Sequence, residues 1–452
     1  MLPLSHAQRR LWAFHRQEGP HAAYNVHVVL RMTGALDTTA LEQAVRDVLG
    51  RHEVLRTVLR GADGEPRQEI LPAADFGRVL LPLSCRTDRF ADLLKDGTAL
   101  AEALDRPFDL DGDALVRTWL VRLTADDHAF VLVMHHAVHD GWSMGPLLRD
   151  LEAAYNARAA GDAPRWDPLP VQYADYTLWQ RELLGDENDP QSLAGRQLAY
   201  WQEVLSGLPE ELPLPYDRLR PPVATYAGHE ITFDIAPQVH TALLDLGQRS
   251  RATLSMVLQA AVAALLHRRG AGTDIPFGTD MSGRTDEALE ELVGFFVNTL
   301  VLRADLSGAP TFRDLVVRVR DMCLSAYDHQ DLPFESLAES LVPTRLRSRH
   351  PLFQTVVKLH KGVETELPVQ LTGLTCALEP VATTALRYDL AWDFVEAPGR
   401  LTAHLTYATD LFDHRTAEGL KDGLMRILDT VAAAPGTLVR HLHTHTEPRG
   451  EQ

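Results

Sequence analysis

Residues 134–145, MHHAVHDGWSMG, hold two overlapping motifs, and the choice between them decides the reading of the chain. They follow the apolar run Phe130-Val131-Leu132-Val133. Gly141-Trp142-Ser143-Met144-Gly145 fits the Gly-x-Ser-x-Gly elbow that presents a nucleophilic serine. An elbow needs its strand to run almost directly into the first glycine. Here Ala137, Val138, His139 and Asp140 intervene. Ser143 therefore reads as the cap of a helix whose apolar face is Leu147, Leu148, Leu151, Ala154 and Tyr155. A nucleophile is the competing assignment. His135 and His136 stand at the end of the strand, so their side chains point to opposite sides. One can serve the core and the other can face a cleft. A neutral imidazole with its ordinary pKa of ~6.5 can take a proton there. The competing role is a core histidine bonded to backbone. Asp140 can fix the loop or orient a ring, and Gly141 leaves room close to the backbone. A metal site of His135, His136, His139 and Asp140 is the weaker option, because adjacent strand residues diverge.

With 452 residues, the chain exceeds one ordinary core, and two or three domains are expected. Hydrophobic residues make up 45% and charged residues 23%, as in soluble globular proteins. A net charge of −18 argues against nucleic acid and anionic membranes as general partners. Cys85, Cys323 and Cys376 are isolated, so neither a disulfide framework nor a zinc site is expected, and a cytoplasmic location fits. The N-terminus lacks a signal-peptide run, and the apolar stretch around Ser255–Leu266 is too short to span a bilayer.

Ser5-His6-Ala7-Gln8 reads as a capping box, and Thr39-Ala40-Leu41-Glu42 as another helix start. Val26–Met32 and Ala129–Met134 read as strands, the second buried on both faces. A helix is expected over Ser192–Leu205. Gly207–Val223 carries five prolines in seventeen residues and reads as an extended connector. Helices are expected around Leu254–Leu265 and Phe312–Tyr327, and strands at Gln354–Lys358 and Leu401–Tyr407. Strands alternating with helices on both sides of the connector indicate two α/β lobes. No P-loop and no Gly-x-Gly-x-x-Gly after a strand occurs, and Arg51-His52-Glu53 lacks the second histidine of a zinc helix.

His135-His136-Ala137-Val138-His139-Asp140-Gly141 also spells HHxxxDG, the signature of the condensation-domain superfamily. Six further stretches resemble that family's motifs in order: SHAQRRLW (Ser5–Trp12), RHEVLRT (Arg51–Thr57), YADYTLWQ (Tyr173–Gln180), VGFFVNTLVLR (Val293–Arg303), HQDLPFE (His329–Glu335) and RSRHPLFQ (Arg347–Gln354). LTYATDLFD (Leu405–Asp413) is similar to its C-terminal strand and turn. His350 departs from the asparagine common before Pro351.

This resemblance, to condensation domains of nonribosomal peptide synthetases, implies an α/β fold of two chloramphenicol acetyltransferase-like lobes in a V shape with a central tunnel. The lobes are expected at residues 1–176 and 177–452, with a floor loop near 278–298 and a crossing strand within 362–389. The connector then lies inside the second lobe. The implied activity is peptide-bond formation between a donor aminoacyl or peptidyl thioester and the α-amine of an acceptor aminoacyl thioester. Both arrive on phosphopantetheine arms of upstream and downstream peptidyl carrier domains, with an adenylation domain as neighbour. No cofactor bound by the domain itself and no metal is implied, and a monomer is expected. His136 matches the catalytic histidine. His135 and Asp140 are structural, Asp140 pairing with an arginine from the other lobe, for which Arg284 is the candidate; a solvated loop arginine is its competing role. Gly141, Trp142, Ser143 and Asn298 line the pantetheine path, Asn298 alternatively bonding backbone. The stretch Ala271–Arg303 resembles types that accept an L-configured donor. A docking module without catalysis, or a serine hydrolase using Ser143, are the alternatives. The abrupt start and the polar tail Glu447–Gln452 suggest a module of a larger synthetase.

Overall fold

The computed structural model describes residues 2–61, 65–76, 78–84, 90–93, 98–342, 348–361, 369–379, 381 and 386–444. Cys85, Arg347 and the polar tail lie outside them, as do parts of the stretch 362–389. The chain forms two compact units, each assembled from separate segments.

The first unit comprises Met1–Gly185, Ser282–Val297 and Val363–Ala382. Its five-stranded sheet runs in the order Leu374–Glu379, Asn25–Gly34, Asp127–His135, Val116–Arg122, Leu81–Leu83. Neighbours are antiparallel except for the last pair. Asp127–His135 takes the middle place, and every residue from His128 to His135 is buried. That position explains an apolar run without alternation. Asn25 lies opposite His135, and Val116 opposite Met134. Both neighbours therefore brace the strand where it enters the histidine loop.

Helices Thr38–Arg51 and Met144–Ala159 pack against each other. The first starts before the expected Thr39, because the Asp37 carboxylate accepts from the amides of both Thr39 and Ala40. The helix His6–Glu18 opens on the expected capping box of Ser5 and Gln8. The expected lobe division at 176/177 falls inside the helix Tyr173–Leu184, and the first unit runs on to Gly185. Most of the expected floor loop, Ser282–Val297, belongs to this unit as well. The strand Leu374–Glu379, within the stretch named for a crossing strand, pairs along Asn25–Gly34.

The second unit comprises Asp186–Met281, Asn298–Gly362 and Thr383–Gln452. Its six-stranded sheet runs Asn298–Asp305, Asp274–Met281, Thr355–Lys361, Leu390–Ala397, Arg400–Ala408, Gly228–Ile235. Helix Leu254–Arg268 packs on this sheet and against Pro237–Ser250, Phe312–Tyr327 and His414–Ala433. Surrounded in this way, it is buried without a break from Met256 to Leu266, not on one face alone. Gly207–Val223 holds neither helix nor strand, as its prolines require. It is pinned nonetheless: Arg220 pairs with Glu211 at 2.7 Å and with Asp389 at 2.5 Å. No helix among the described residues is long and apolar enough to cross a membrane.

Candidate functional site

The strand Asp127–His135 delivers the histidine loop with its two histidines separated, as strand geometry demands. His135 is buried, between the rings of Tyr24 and Phe108. Its Nδ1 accepts from the Ala137 amide at 3.1 Å, and burial pushes its pKa down to about 3. It is a neutral core residue that shapes the turn. His136 enters the short 3-10 turn His136–Val138 and keeps part of its surface exposed. Its ring lies 4.8 Å from that of Phe295, tilted by 54°. His139 is fully buried, and burial also brings its pKa to about 3. Its two ring nitrogens have no hydrogen-bond partner among the described residues.

Asp140 is 0% exposed and would be costly to bury alone. Arg284, 6% exposed, places Nη1 at 3.0 and 3.2 Å from the two carboxylate oxygens. Oδ1 also accepts from the Ser143 amide at 2.9 Å, and Oδ2 from the Phe296 amide at 2.9 Å. Arg284 Nη2 donates to Ser143 Oγ at 2.9 Å and to the Leu292 carbonyl at 3.0 Å, and the guanidinium lies 4.2 Å from the Phe296 ring centroid. A buried ion pair holds only with such surrounding bonds. Arg284 is expected from the other lobe. Its segment belongs to the first unit, because Gly294 and Phe296 bond to the loop through their backbone.

Ser143 departs from its expected role. Its hydroxyl makes no cap bond to the helix Met144–Ala159. It lies 2.8 Å from Asp140 Oδ1 and 2.9 Å from the Gly294 carbonyl, and accepts from the Gly294 amide at 3.1 Å. Fully buried and enclosed by these groups, it cannot serve as a nucleophile or line a path. Asp140 supplies the cap instead, on the turn Gly141–Ser143. Gly141 is exposed, and a Cβ built on it meets nothing within 4 Å. Trp142 is half-buried beside it.

Asn298, in the second unit, donates from Nδ2 to the carbonyls of Gln330 and Leu332 at 2.8 Å each. Its Oδ1 accepts from the amides of Thr299 and Phe334 at 2.9 and 3.0 Å. The amide is saturated by backbone, so its role is to hold HQDLPFE to its strand rather than to contact a substrate.

Residues from other motifs converge on the histidine loop. Gln8 Nε2 donates to the Ala137 carbonyl at 3.2 Å. Tyr173 donates its hydroxyl proton to the Phe295 carbonyl at 2.8 Å and accepts from Ser5 Oγ at 2.8 Å. Burial holds the Tyr173 phenol well above its ordinary range, so it stays a donor. His52, from RHEVLRT, lies 2.7 Å from Asp150 and so ties helix Thr38–Arg51 to Met144–Ala159. His350 stacks among Phe334, Phe353 and Tyr388 in the second unit. Gln8, Tyr173, Phe295 and Phe296 lie within the motif stretches, but no spacing singles them out as partners of the loop. Among the described residues, no group of His, Cys, Asp or Glu is placed to hold a metal ion.

The family model described as "Condensation domain" matches residues 1–452. A probable non-canonical nonribosomal peptide synthetase, CymA, of Salinispora arenicola is 48% identical over 96% of this chain and 6% of its own length. A dimodular nonribosomal peptide synthase of Bacillus subtilis is 44% identical over 98% of this chain and 18% of its own length. The chain thus spans a small part of the curated relatives it matches. A solved structure of the X-domain with OxyB from teicoplanin biosynthesis superposes with a TM-score of 0.90 at 34% identity, covering 99% of this chain and 96% of that one.

Proposed function

The chain belongs to the condensation-domain family, and we propose that it forms a peptide bond between a donor acyl thioester and the α-amine of an acceptor aminoacyl thioester. Both substrates are carried on phosphopantetheine by carrier domains of one synthetase, with an adenylation domain as neighbour. In reaction terms it is an acyltransferase. The observation that carries this reading is the buried Asp140–Arg284–Ser143 network, which holds the loop so that His135 stays in the core and His136 remains accessible.

The thioester is already activated, so the demand falls on the amine. Its ordinary pKa of ~7.7–8.0 leaves much of it protonated at neutral pH. His136 orients the amine and takes a proton as the carbonyl is attacked; thiolate leaves and the acyl chain passes to nitrogen. Holding both reactants in place supplies roughly 7–11 kcal/mol, and general-base help about 10²–10⁴-fold. The open space at Gly141, beside Trp142, suits an approaching pantetheine chain.

The test uses two carrier domains loaded with aminoacyl-pantetheine, read by intact mass. Wild-type protein gives amide product on the acceptor carrier. His136→Ala lowers the rate by about 10²-fold or more. Undiminished product in that variant removes His136 from the mechanism. The likeness to an X-domain solved with OxyB favours a docking role as the second reading. A folded wild-type chain that makes no product supports it. A fluorophosphonate probe labelling Ser143 would overturn both.

A further inference from the structure

We propose that Phe295 is a positioning residue for His136, a role that rests on the condensation reading. The two rings meet at 4.8 Å, with Phe295 only 7% exposed. More telling is how the backbone around Phe295 is held. Gly294 is clamped on both sides by Ser143, its amide donating to Oγ and its carbonyl lying 2.9 Å from it. The Phe295 carbonyl accepts from Tyr173 at 2.8 Å. The Phe296 amide donates to Asp140 at 2.9 Å. Three consecutive residues are thus fixed by three different side chains, all of them buried.

Gly294 makes this clamp possible. A Cβ there would come within 2.3 Å of the Tyr173 ring and 2.7 Å of the Phe296 ring. With its peptide units held, the Cα–Cβ direction of Phe295 is fixed relative to the loop, and its burial restricts the ring to few rotamers. Its ring is a fixed wall against one flank of His136. The two clamped ends meet in one network, because Asp140 and Ser143 also hold the loop from which His136 projects. The ring that takes the proton and the ring that orients it are therefore set by the same carboxylate. The wall limits the orientations of the imidazole and keeps water from that flank.

Phe295→Leu retains an apolar side chain but loses the flat face, and Phe295→Tyr retains it. Each is assayed for product formation with loaded carriers, for thermal midpoint, and for the His136 ring titration by NMR with labelled histidine. In Phe295→Leu, kcat is expected to fall about tenfold with KM for the carriers unchanged. The His136 titration midpoint shifts, because loss of the ring changes both the solvation of the imidazolium and its aromatic contact. Phe295→Tyr restores both. A Leu variant matching wild type in kcat and in titration midpoint overturns the proposal. So does a loss of kcat that follows the thermal midpoint and that Tyr does not rescue. Absence of product from wild type refutes the condensation reading, while the NMR comparison still decides whether the two rings are coupled.

Discussion

Each unit carries a chain of charged groups, and the two are built on opposite plans. In the first unit Asp140 and Arg284 are buried, at 0% and 6% exposure, and bonded to each other, to backbone and to Ser143. In the second unit the charges form a row across one sheet face. Register sets Thr299 beside Asp280, Lys358 beside Asp393, Asp393 beside His404, and His404 beside Thr232. Lys358 Nζ reaches Asp280 at 2.7 Å, completing the row through the parallel pairing of Val356 with Gly278. Side-chain exposure there runs from 17% at Asp280 to 29% at His404. The first arrangement fixes one loop geometry and tolerates no missing partner. The second spreads partly buried opposite charges over neighbouring strands, where each group has more than one partner and the loss of one is compensated in part.

The sharpest way to break this contrast is Asp140→Asn. It leaves the Arg284 charge buried without its counter-ion. A loss of about 3–5 kcal/mol is expected in urea denaturation, together with product formation. A loss below about 1 kcal/mol would make the two chains equivalent and end the comparison.

Lys358→Met tests the second unit and is expected to cost less, about 1–2 kcal/mol at neutral pH. Burial raises the carboxyls of Asp280 and Asp393, but Lys358, helped by Arg387 at Asp280 and by His360 and His404 at Asp393, more than offsets it and holds both below their ordinary range. Groups depressed in this way add stability above the unfolded value of ~3.9 and lose it as pH falls through the folded value. The gap between wild type and variant should therefore narrow on the acid side. A gap independent of pH would show that Lys358 acts through packing alone.

The smallest effect is expected from His404→Asn. The hydrogen bond to Glu230 at 3.1 Å raises the His404 pKa, with burial opposing it. A raised histidine contributes stability below its unfolded value of ~6.5 and loses it as pH rises through the folded value. Wild type should lose under about 1 kcal/mol between mildly acidic and mildly alkaline pH, and the variant none of it. High salt should diminish this term and leave the Asp140 effect almost unchanged. Equal salt sensitivity would contradict the difference in burial.

Much of the scaffold was legible in the residues. The apolar run before Met134 reads as a central strand, and a strand parts His135 from His136. The Ser5–Gln8 box and the proline-rich connector are local chemistry and needed no tertiary context. Ser143 was not legible. A hydroxyl before a helix serves a cap as readily as a distant carbonyl, and here Gly294, which approaches it only in the folded unit, took the bond. Asn298 illustrates the same limit: next to a strand end, its amide could face a substrate or backbone, and HQDLPFE decided it. Phe295 could not be singled out, because nothing local says which ring in Gly294-Phe295-Phe296 turns toward His136.

By itself the sequence determined where the histidine loop stands, that its two histidines face opposite sides of the strand, and where neighbouring helices begin. These follow from period, spacing and capping, all properties of neighbouring residues. The tertiary structure alone decided that Ser282–Val297 joins the first unit, that Arg284 and Ser143 share Asp140, and that Phe295 walls one side of His136. Those contacts join residues about 140 to 160 positions apart. Only the closing of the chain on its cores brings them within hydrogen-bond reach.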